Sequence, residues 1–194
     1  MNYIEMIKKY NPICKQEVKD KEIFLKYINE FGNILTRENE YAHFCSSALV
    51  VNKNMDKVVM VYHNIYKSWC WVGGHADGEE NLIEQAKREI NEETGLTKFK
   101  PLSEDFISID TLPVPGHFKR GKYVPAHTHL NVAFLFVADD SEPLRIKEDE
   151  NSKVEWIDID KVTKITNEMQ MIPVYNKIFK RMQIYKTTAK NTSF

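Results

Sequence analysis

GGHADGEENLIEQAKREINEETGL, residues 73–96, is the stretch on which the predicted fold and chemistry both depend. Two glycines open it, another nearly closes it, and seven acidic residues and one arginine lie between them. Gly78 predicts a turn, and helical character is expected from Glu79 onward. Gly95 predicts the end of this helix, because glycine adopts the left-handed conformation of many helix C-termini.

One side of the predicted helix is apolar and the other is unusually acidic. Ile83, Ala86 and Ile90 recur at i, i+3 and i+7, which predicts a stripe that packs on a sheet. At about 100° per residue, three glutamates share one surface patch beside this stripe. They are Glu89, Glu92 and Glu93. In a separate row at i, i+4 spacing, Arg88 can bridge Glu84 and Glu92.

This concentration of negative charge has an energetic cost. Adjacent carboxylates repel one another, and each acidic residue near a helix C-terminus is unfavourable by roughly 0.3–1 kcal/mol. An ordinary solvated face is the alternative, since exposed ion pairs contribute only about 0.3–0.5 kcal/mol each. A hard dication such as Mg²⁺, which prefers oxygen ligands, would supply the missing positive charge. The residues therefore predict a metal site at the end of the helix.

The spacing of nine residues resembles the Nudix box, G-x5-E-x7-R-E-U-x-E-E-x-G-U, where U is aliphatic. The nine are Gly74, Glu80, Arg88, Glu89, Ile90, Glu92, Glu93, Gly95 and Leu96. The sequence departs from many members within x5, where Asp77-Gly78-Glu79 stands in place of an acidic residue followed by Pro-Gly. The resemblance implies an α/β fold (α+β in the broader sense), a Nudix-type α/β/α sandwich with a mixed β-sheet. It also implies a pyrophosphohydrolase that depends on Mg²⁺ or Mn²⁺.

The resemblance also implies roles for individual residues. It assigns metal-binding or catalytic roles to Glu89, Glu92, Glu93 and Arg88, with Arg88 holding the carboxylates through ion pairs. The loop around Gly73 and Gly74 would offer backbone groups, with the Gly73 carbonyl a candidate metal ligand and Gly74 beside the substrate. Glu80 would support the helix start. Family members differ over which glutamate, if any, is the general base, so this assignment stays open.

The rest of the chain predicts strands and helices around this stretch. Residues 1–40 read as a helical N-terminal extension in which Asp20 caps a helix, and residues 41–194 as the Nudix domain. Residues 168–183 predict an amphipathic closing helix with Pro173 near its first turn. Strands are predicted at 43–52, 57–64, 106–112, 127–139 and 154–159, the first two joined as a hairpin.

A basic loop at 113–126 precedes the strongest strand. His117, Arg120 and Lys122 could bind substrate phosphate, although a solvated basic loop is the alternative. His127 and His129 point to one face of the following strand. They are candidates for the substrate cleft, with hydrogen-bonded core histidines or a zinc site as alternatives. No third zinc ligand is evident from the sequence.

An acidic loop before the last strand contains Glu148, Asp149 and Glu150. In some Nudix members a glutamate from a late loop joins the metal site or activates water, and Glu150 is the candidate here. A bland acidic surface loop is the alternative.

Composition excludes some classes of protein. The net charge of −1 does not predict a broad nucleic-acid surface. The sequence contains no 18-residue apolar run, so it predicts no membrane span. Its three cysteines lack metal-ligand spacing, which predicts inert thiols in a reducing cytoplasm. The expected partner is a small diphosphate, nucleotide-like in character, and a homodimer stays open. Two other functions remain as alternatives: a ligand-sensing or protein-interaction module, and an enzyme similar to isopentenyl-diphosphate isomerase.

Overall fold

The computed structural model describes residues 1–119 and 121–191. Its helices are α1 (Tyr3–Lys9), α2 (Lys15–Glu30), α3 (Leu82–Thr94), α4 (Ile159–Ile165) and α5 (Met171–Asn191). Its strands are β1 (Ala42–Asn52), β2 (Lys57–His63), β3 (Ser68–Cys70), β4 (Val72–His75), β5 (Phe99–Pro101), β6 (Ser108–Val114), β7 (His117–Lys119), β8 (Lys122–Val124), β9 (His127–Ala138) and β10 (Asn151–Asp158). No helix in the described part of the chain has both the length and the apolar character needed to cross a membrane.

An eight-stranded mixed sheet forms the centre of the molecule. Its two longest strands, β1 and β9, pair in parallel from Ala42 opposite Thr128 to Asn52 opposite Ala138. The other neighbours are antiparallel: β2 and β4 on β1, β5 and β6 on β9, and β3 and β10 on β2. The predicted hairpin of β1 and β2 is confirmed.

Successive side chains of β1 point to opposite faces of the sheet, and all of them are buried. Both faces are therefore covered by helices. Phe44 and Val50 belong to the hydrophobic cluster under α1, α2 and α3. Leu49 and Val51 belong to the cluster under α4 and α5. The expected α/β/α sandwich with a mixed sheet is therefore confirmed.

The N-terminal helices are joined to the main domain by apolar and ionic contacts. Phe24 of α2 meets Phe44 of β1 edge-to-face at 5.5 Å between ring centroids. Glu17 is fully buried and pairs with Arg181 of α5 at 2.7 Å. The prediction that Asp20 caps the helix is wrong: α2 begins five residues earlier at Lys15, and the buried Asp20 carboxylate accepts a hydrogen bond from Thr111. The domain boundary near residue 40 stays a prediction.

Two other predicted boundaries change, and one is confirmed. Helix α3 begins at Leu82 rather than at Glu79, because Gly78 takes a left-handed φ of 91° and the Glu79 carboxylate accepts from the Asn81 amide at 2.9 Å. The predicted loop 113–126 contains the end of β6 and the β7–β8 hairpin. Gly95 ends α3 in the left-handed conformation, as predicted.

Candidate active site

A cavity of about 840 Å³ opens where β4, the C-terminal half of α3, the loop before β10 and the start of α5 meet. Its lining includes the acidic residues Glu89, Glu93 and Glu150 and the aromatic residues Trp71 and Tyr175. The cavity therefore combines charged and apolar side chains, as small-molecule sites commonly do.

Three carboxylates from two parts of the chain come together in this cavity. One oxygen from each of Glu89, Glu93 and Glu150 lies within 4.8 Å of the others. Glu93 is only 3% exposed and accepts a hydrogen bond from the Gly73 amide at 3.1 Å. Glu89 is half-buried and accepts from Nε2 of Gln85 at 2.7 Å. The structure thus places the late-loop candidate Glu150 beside two box glutamates.

Gly73 and Gly74 lie in strand β4, not in the loop that the sequence predicted. They pair with Ser47 and Ser46 of β1, which holds the strand edge directly against α3. A Cβ on Gly74 would overlap with Oε1 of Glu89, and a Cβ on Gly73 would lie 2.5 Å from the Ser47 hydroxyl. Both positions therefore require glycine for close approach.

The carboxylates are electrostatically unfavourable as they stand. Burial raises the pKa of Glu89 to about 6, and the neighbouring Glu150 and Glu92 add to this rise. Burial, followed by the charge of Glu89, raises the pKa of Glu93 well above its ordinary value. A divalent cation with oxygen ligands would offset both effects, so the residues fit Mg²⁺ or Mn²⁺.

Glu92 lines the same cavity but stands outside the carboxylate trio, and it pairs with Lys147 at 2.7 Å. Its metal-binding or catalytic role stays a prediction. The predicted bridge from Arg88 to Glu84 and Glu92 is wrong, because those acids pair with Lys87 and Lys147 instead.

Arg88 contacts Glu79 at 3.1 Å and donates to Oε1 of Gln85. Gln85 is thereby oriented with its Nε2 toward Glu89. Arg88 consequently acts on the trio through an amide side chain rather than by direct ion pairs.

Several residues around the trio have no assigned role in the sequence-based prediction. Lys147 pairs with Glu150 at 3.2 Å, and Asn151 donates from Nδ2 to the Glu93 carbonyl at 3.1 Å, which fastens the late loop to α3. Arg37, from the N-terminal region, lines the cavity and pairs with Asp77 at 2.7 Å. Asn131 is buried and its Nδ2 has no hydrogen-bond partner. None of these residues lies in a motif, so only their positions in the fold identify them.

The predicted substrate-binding residues separate into three groups. Gly74 and His129 line the large cavity. His117 and His127 line an adjoining cavity of about 290 Å³, whose wall also includes His129. Lys122 is exposed on β8 and lines neither of these two cavities, so its role in substrate binding stays a prediction. Arg120 lies outside the described residues.

A cluster of histidines fills the wall between the two cavities. His127 and His129 point to one face as predicted, and His43 and His75 join them there, with ring centroids of neighbouring pairs 4.8–5.2 Å apart. Burial, followed by the charges of neighbouring histidines, lowers the pKa of His129 to about 2. Burial also lowers the pKa of His43. These two rings are therefore neutral at neutral pH.

Solved structures with the same fold support this architecture. An Ap4A hydrolase of C. elegans in a binary complex is 16% identical, with a TM-score of 0.54 over 75% of this chain and 98% of its own. A NUDIX-family hydrolase from Clostridium perfringens is 20% identical, with a TM-score of 0.52 over 72% and 97%. An E. coli dihydroneopterin triphosphate pyrophosphohydrolase is 14% identical, with a TM-score of 0.52 over 69% and 92%.

Sequence comparison gives the family. No curated protein matches the chain in sequence. Residues 43–179 match the family model of the NUDIX domain, and this range contains the whole box and the carboxylate trio. The chain therefore belongs to the Nudix hydrolase family of enzymes.

Proposed function

We propose that the protein is a Mg²⁺- or Mn²⁺-dependent pyrophosphohydrolase that cleaves a nucleoside diphosphate linked to another group, or a related small diphosphate. The observation that carries this proposal is the approach of Glu89, Glu93 and Glu150 within 4.8 Å in one cavity. Closely spaced, buried carboxylates repel one another when they are ionised, which raises their pKa values. A hard cation that prefers oxygen ligands would relieve this repulsion.

The residues of the chain would hold and orient the reacting groups. Glu89 and Glu93 would hold a divalent cation through oxygens that Gln85 and the Gly73 backbone N–H already orient. Glu150 would be the third carboxylate, supplied by the late loop. When bound, the cation would offset the charge of the diphosphate and lower the pKa of an attacking water. The general base stays unassigned among the three glutamates.

The cavity supports a substrate about the size of a nucleotide. Its volume of about 840 Å³ lies in the range of small-molecule sites. Trp71 and Tyr66 stand in its wall and offer ring faces for a base or other planar group. Two of the structural neighbours are named for Ap4A and for dihydroneopterin triphosphate, so the fold alone leaves the group attached to the diphosphate open.

The two alternatives have less support. A binding module without catalysis has no need to bring three acids together at an energetic cost. An isomerase that moves a proton between carbons needs two groups that face its substrate. Cys70 and Glu168 both line the large cavity, where the thiol donates to Glu168 at 3.0 Å. Burial raises the pKa of both groups, however, and the complete set of box glutamates favours hydrolysis. A cytoplasmic location, supported by three free cysteines, and a homodimer stay proposals.

A screen of phosphate and nucleotide release tests the proposed function. Nucleotide sugars, ADP-ribose, dinucleoside polyphosphates, nucleoside triphosphates and non-nucleoside diphosphates are each incubated with Mg²⁺, Mn²⁺ or a chelator. We expect turnover of at least one class with metal, no turnover after chelation, and a loss of at least 100-fold in Glu93→Gln. Glu84→Gln, on the exposed face of α3, is the matched control. Turnover that survives chelation, or equal rates in both variants, would overturn the proposal.

A further inference from the structure

We propose that His43, His75 and His129 bind a transition-metal cation of the zinc class, at a site separate from the carboxylate trio. The three histidines stand near the ends of three different strands, β1, β4 and β9. We call them the histidine site.

Strand register places the three rings on one face. His43 is directly opposite His129 in the parallel pair, and His75 is opposite Cys45, which shares the face of His43. One ring nitrogen from each histidine lies within 4.8 Å of the others. Small rotations of the imidazoles would bring such nitrogens to the separation of about 3.3 Å that two ligands at about 2.0–2.1 Å have around a tetrahedral zinc.

The buried ring of His43 carries the argument further. Its Nδ1 lies 3.0 Å from the carbonyl oxygen of Asn39, and a carbonyl only accepts hydrogen bonds, so the proton is on Nδ1. Its Nε2 consequently presents a lone pair. His43 is 4% exposed, and this Nε2 has no hydrogen-bond partner. A buried acceptor without a donor destabilises the folded state, and a cation at this position would remove that cost.

The hydrogen bond from His43 to a backbone carbonyl is itself typical of a metal ligand. Ligating histidines usually donate their second ring N–H to a carbonyl or a carboxylate, which fixes the tautomer and the ring orientation. In a cluster of ordinary core histidines, both nitrogens of the most buried ring would form hydrogen bonds. At His43 only Nδ1 does so.

His127 is placed to supply a fourth nitrogen. Its Nδ1 lies 2.9 Å from the Pro125 carbonyl oxygen, so its Nε2 also presents a lone pair. In the metal-free protein this Nε2 accepts a hydrogen bond of 3.2 Å from Nε2–H of His129. A cation held by both nitrogens would replace this proton, with His129 in the Nδ1–H tautomer, and the distance is already close to the nitrogen–nitrogen separation around a tetrahedral zinc. His127 and His129, which the sequence identified as candidates, thus lie beside His43 and His75, which it did not identify.

The donor set distinguishes this site from the carboxylate trio. Imidazole nitrogens favour zinc, copper, nickel and cobalt, whereas carboxylate oxygens favour magnesium and manganese. His75 and His129 line both cavities, so a cation bound there would stand at the wall that the cavities share. The same cation would join three strand ends that are distant in sequence, and it would therefore stabilise the folded state.

Cobalt and zinc titrations test the histidine site without reference to activity. Metal-free protein at pH 7.5 is titrated with Co²⁺ and followed by its visible ligand-field bands, and Zn²⁺ then displaces the Co²⁺. We expect one tightly bound equivalent with intense tetrahedral bands, and a rise in the melting temperature. His43→Gln and His75→Gln should each weaken binding at least 10-fold. His117→Gln is the matched control, because this histidine lines the smaller cavity outside the site.

The carboxylate variant Glu93→Gln separates this proposal from the proposed function. It should lose hydrolysis and keep the Co²⁺ spectrum of the wild type. Equal Co²⁺ and Zn²⁺ affinity in the wild type, His43→Gln and His75→Gln would overturn the histidine site, as would loss of the spectrum in Glu93→Gln alone. Circular dichroism checks the fold, and the partly exposed His75 keeps the test decisive if replacement of the buried His43 unfolds the protein.

Discussion

Gly74 of β4 and Glu89 of α3 are in such close contact that any side chain at position 74 would displace the Glu89 carboxylate. A Cβ placed there would lie 2.5 Å from the Cδ of Glu89 and even closer to one of its oxygens. The backbone of β4 is held by its pairing with β1, so the carboxylate would have to move. Glycine at this position therefore sets where the oxygens of this proposed metal ligand lie.

Gly74→Ala should weaken metal binding more than it weakens the fold. The added methyl would displace the flexible end of Glu89, and we expect Mg²⁺ or Mn²⁺ affinity and activity to fall by about 10–100-fold. Isothermal titration and steady-state kinetics measure these losses. Gly32→Ala is the control, because a Cβ there meets no atom within 4 Å. Unchanged metal affinity in Gly74→Ala would contradict the placement of Glu89.

The carboxylate trio should make the metal-free protein less stable as pH rises. The folded-state pKa of Glu89 is about 6, above its ordinary 4.5, so the folded protein binds more protons than the unfolded chain between these values. The free energy of unfolding should then decrease with rising pH, by about 2 kcal/mol for this one group. Glu93, with its pKa also raised, extends the decrease to higher pH.

Urea unfolding from pH 4.5 to 8, with and without Mg²⁺, measures this effect. The lowered pKa values of His129 and His43 act in the opposite direction below about pH 6.5, so the contribution of the trio is read from the difference between the wild type and Glu89→Gln. With rising pH the wild type should lose stability relative to Glu89→Gln, and this difference should disappear when a saturating divalent cation is present. Glu84→Gln should follow the wild type. The same pH dependence in the wild type and Glu89→Gln would show that the carboxylates are not held together as described.

Glu150 should contribute to metal binding while its neighbour Glu148 should not. The Glu150 carboxylate belongs to the trio, whereas Glu148 is exposed and contacts Asn64 through its backbone carbonyl. We expect Glu150→Gln to raise the Kd for Mn²⁺ by about 10-fold or more and Glu148→Gln to leave it within twofold. Equal behaviour of the two variants would remove the late loop from the site.

The buried ion pair of Glu17 and Arg181 should be essential for stability. Glu17 is fully buried, pairs with Arg181 at 2.7 Å and lies 3.4 Å from Lys177. Glu17→Gln would leave the buried Arg181 without its carboxylate, whereas Lys177 keeps Asp110 at 2.5 Å; we expect a cost of about 3–5 kcal/mol in the free energy of unfolding. Chemical denaturation measures it. Glu22→Gln, in the exposed pair with Lys19, should cost less than about 1 kcal/mol.

Local patterns predicted the elements well because the relevant forces act over a few residues. The apolar stripe of α3, its end at Gly95 and the strands around it follow from side-chain periodicity and from the conformational freedom of glycine. The start of α3 could not be predicted as well. It depends on the turn at Gly78 and on the hydrogen bond that the backbone N–H of Asn81 donates to the Glu79 carboxylate.

The sequence by itself determined the family, the sandwich fold and two of the carboxylates, because the Nudix box is contiguous and its spacing is read directly. Only the tertiary structure decided that Glu150 rather than Glu92 completes the trio, and that Lys147 pairs with Glu92. It also decided that His43 and His75 meet His129. These groups are brought together by strand register and by a loop that returns to α3, and no local spacing in the sequence encodes such distances.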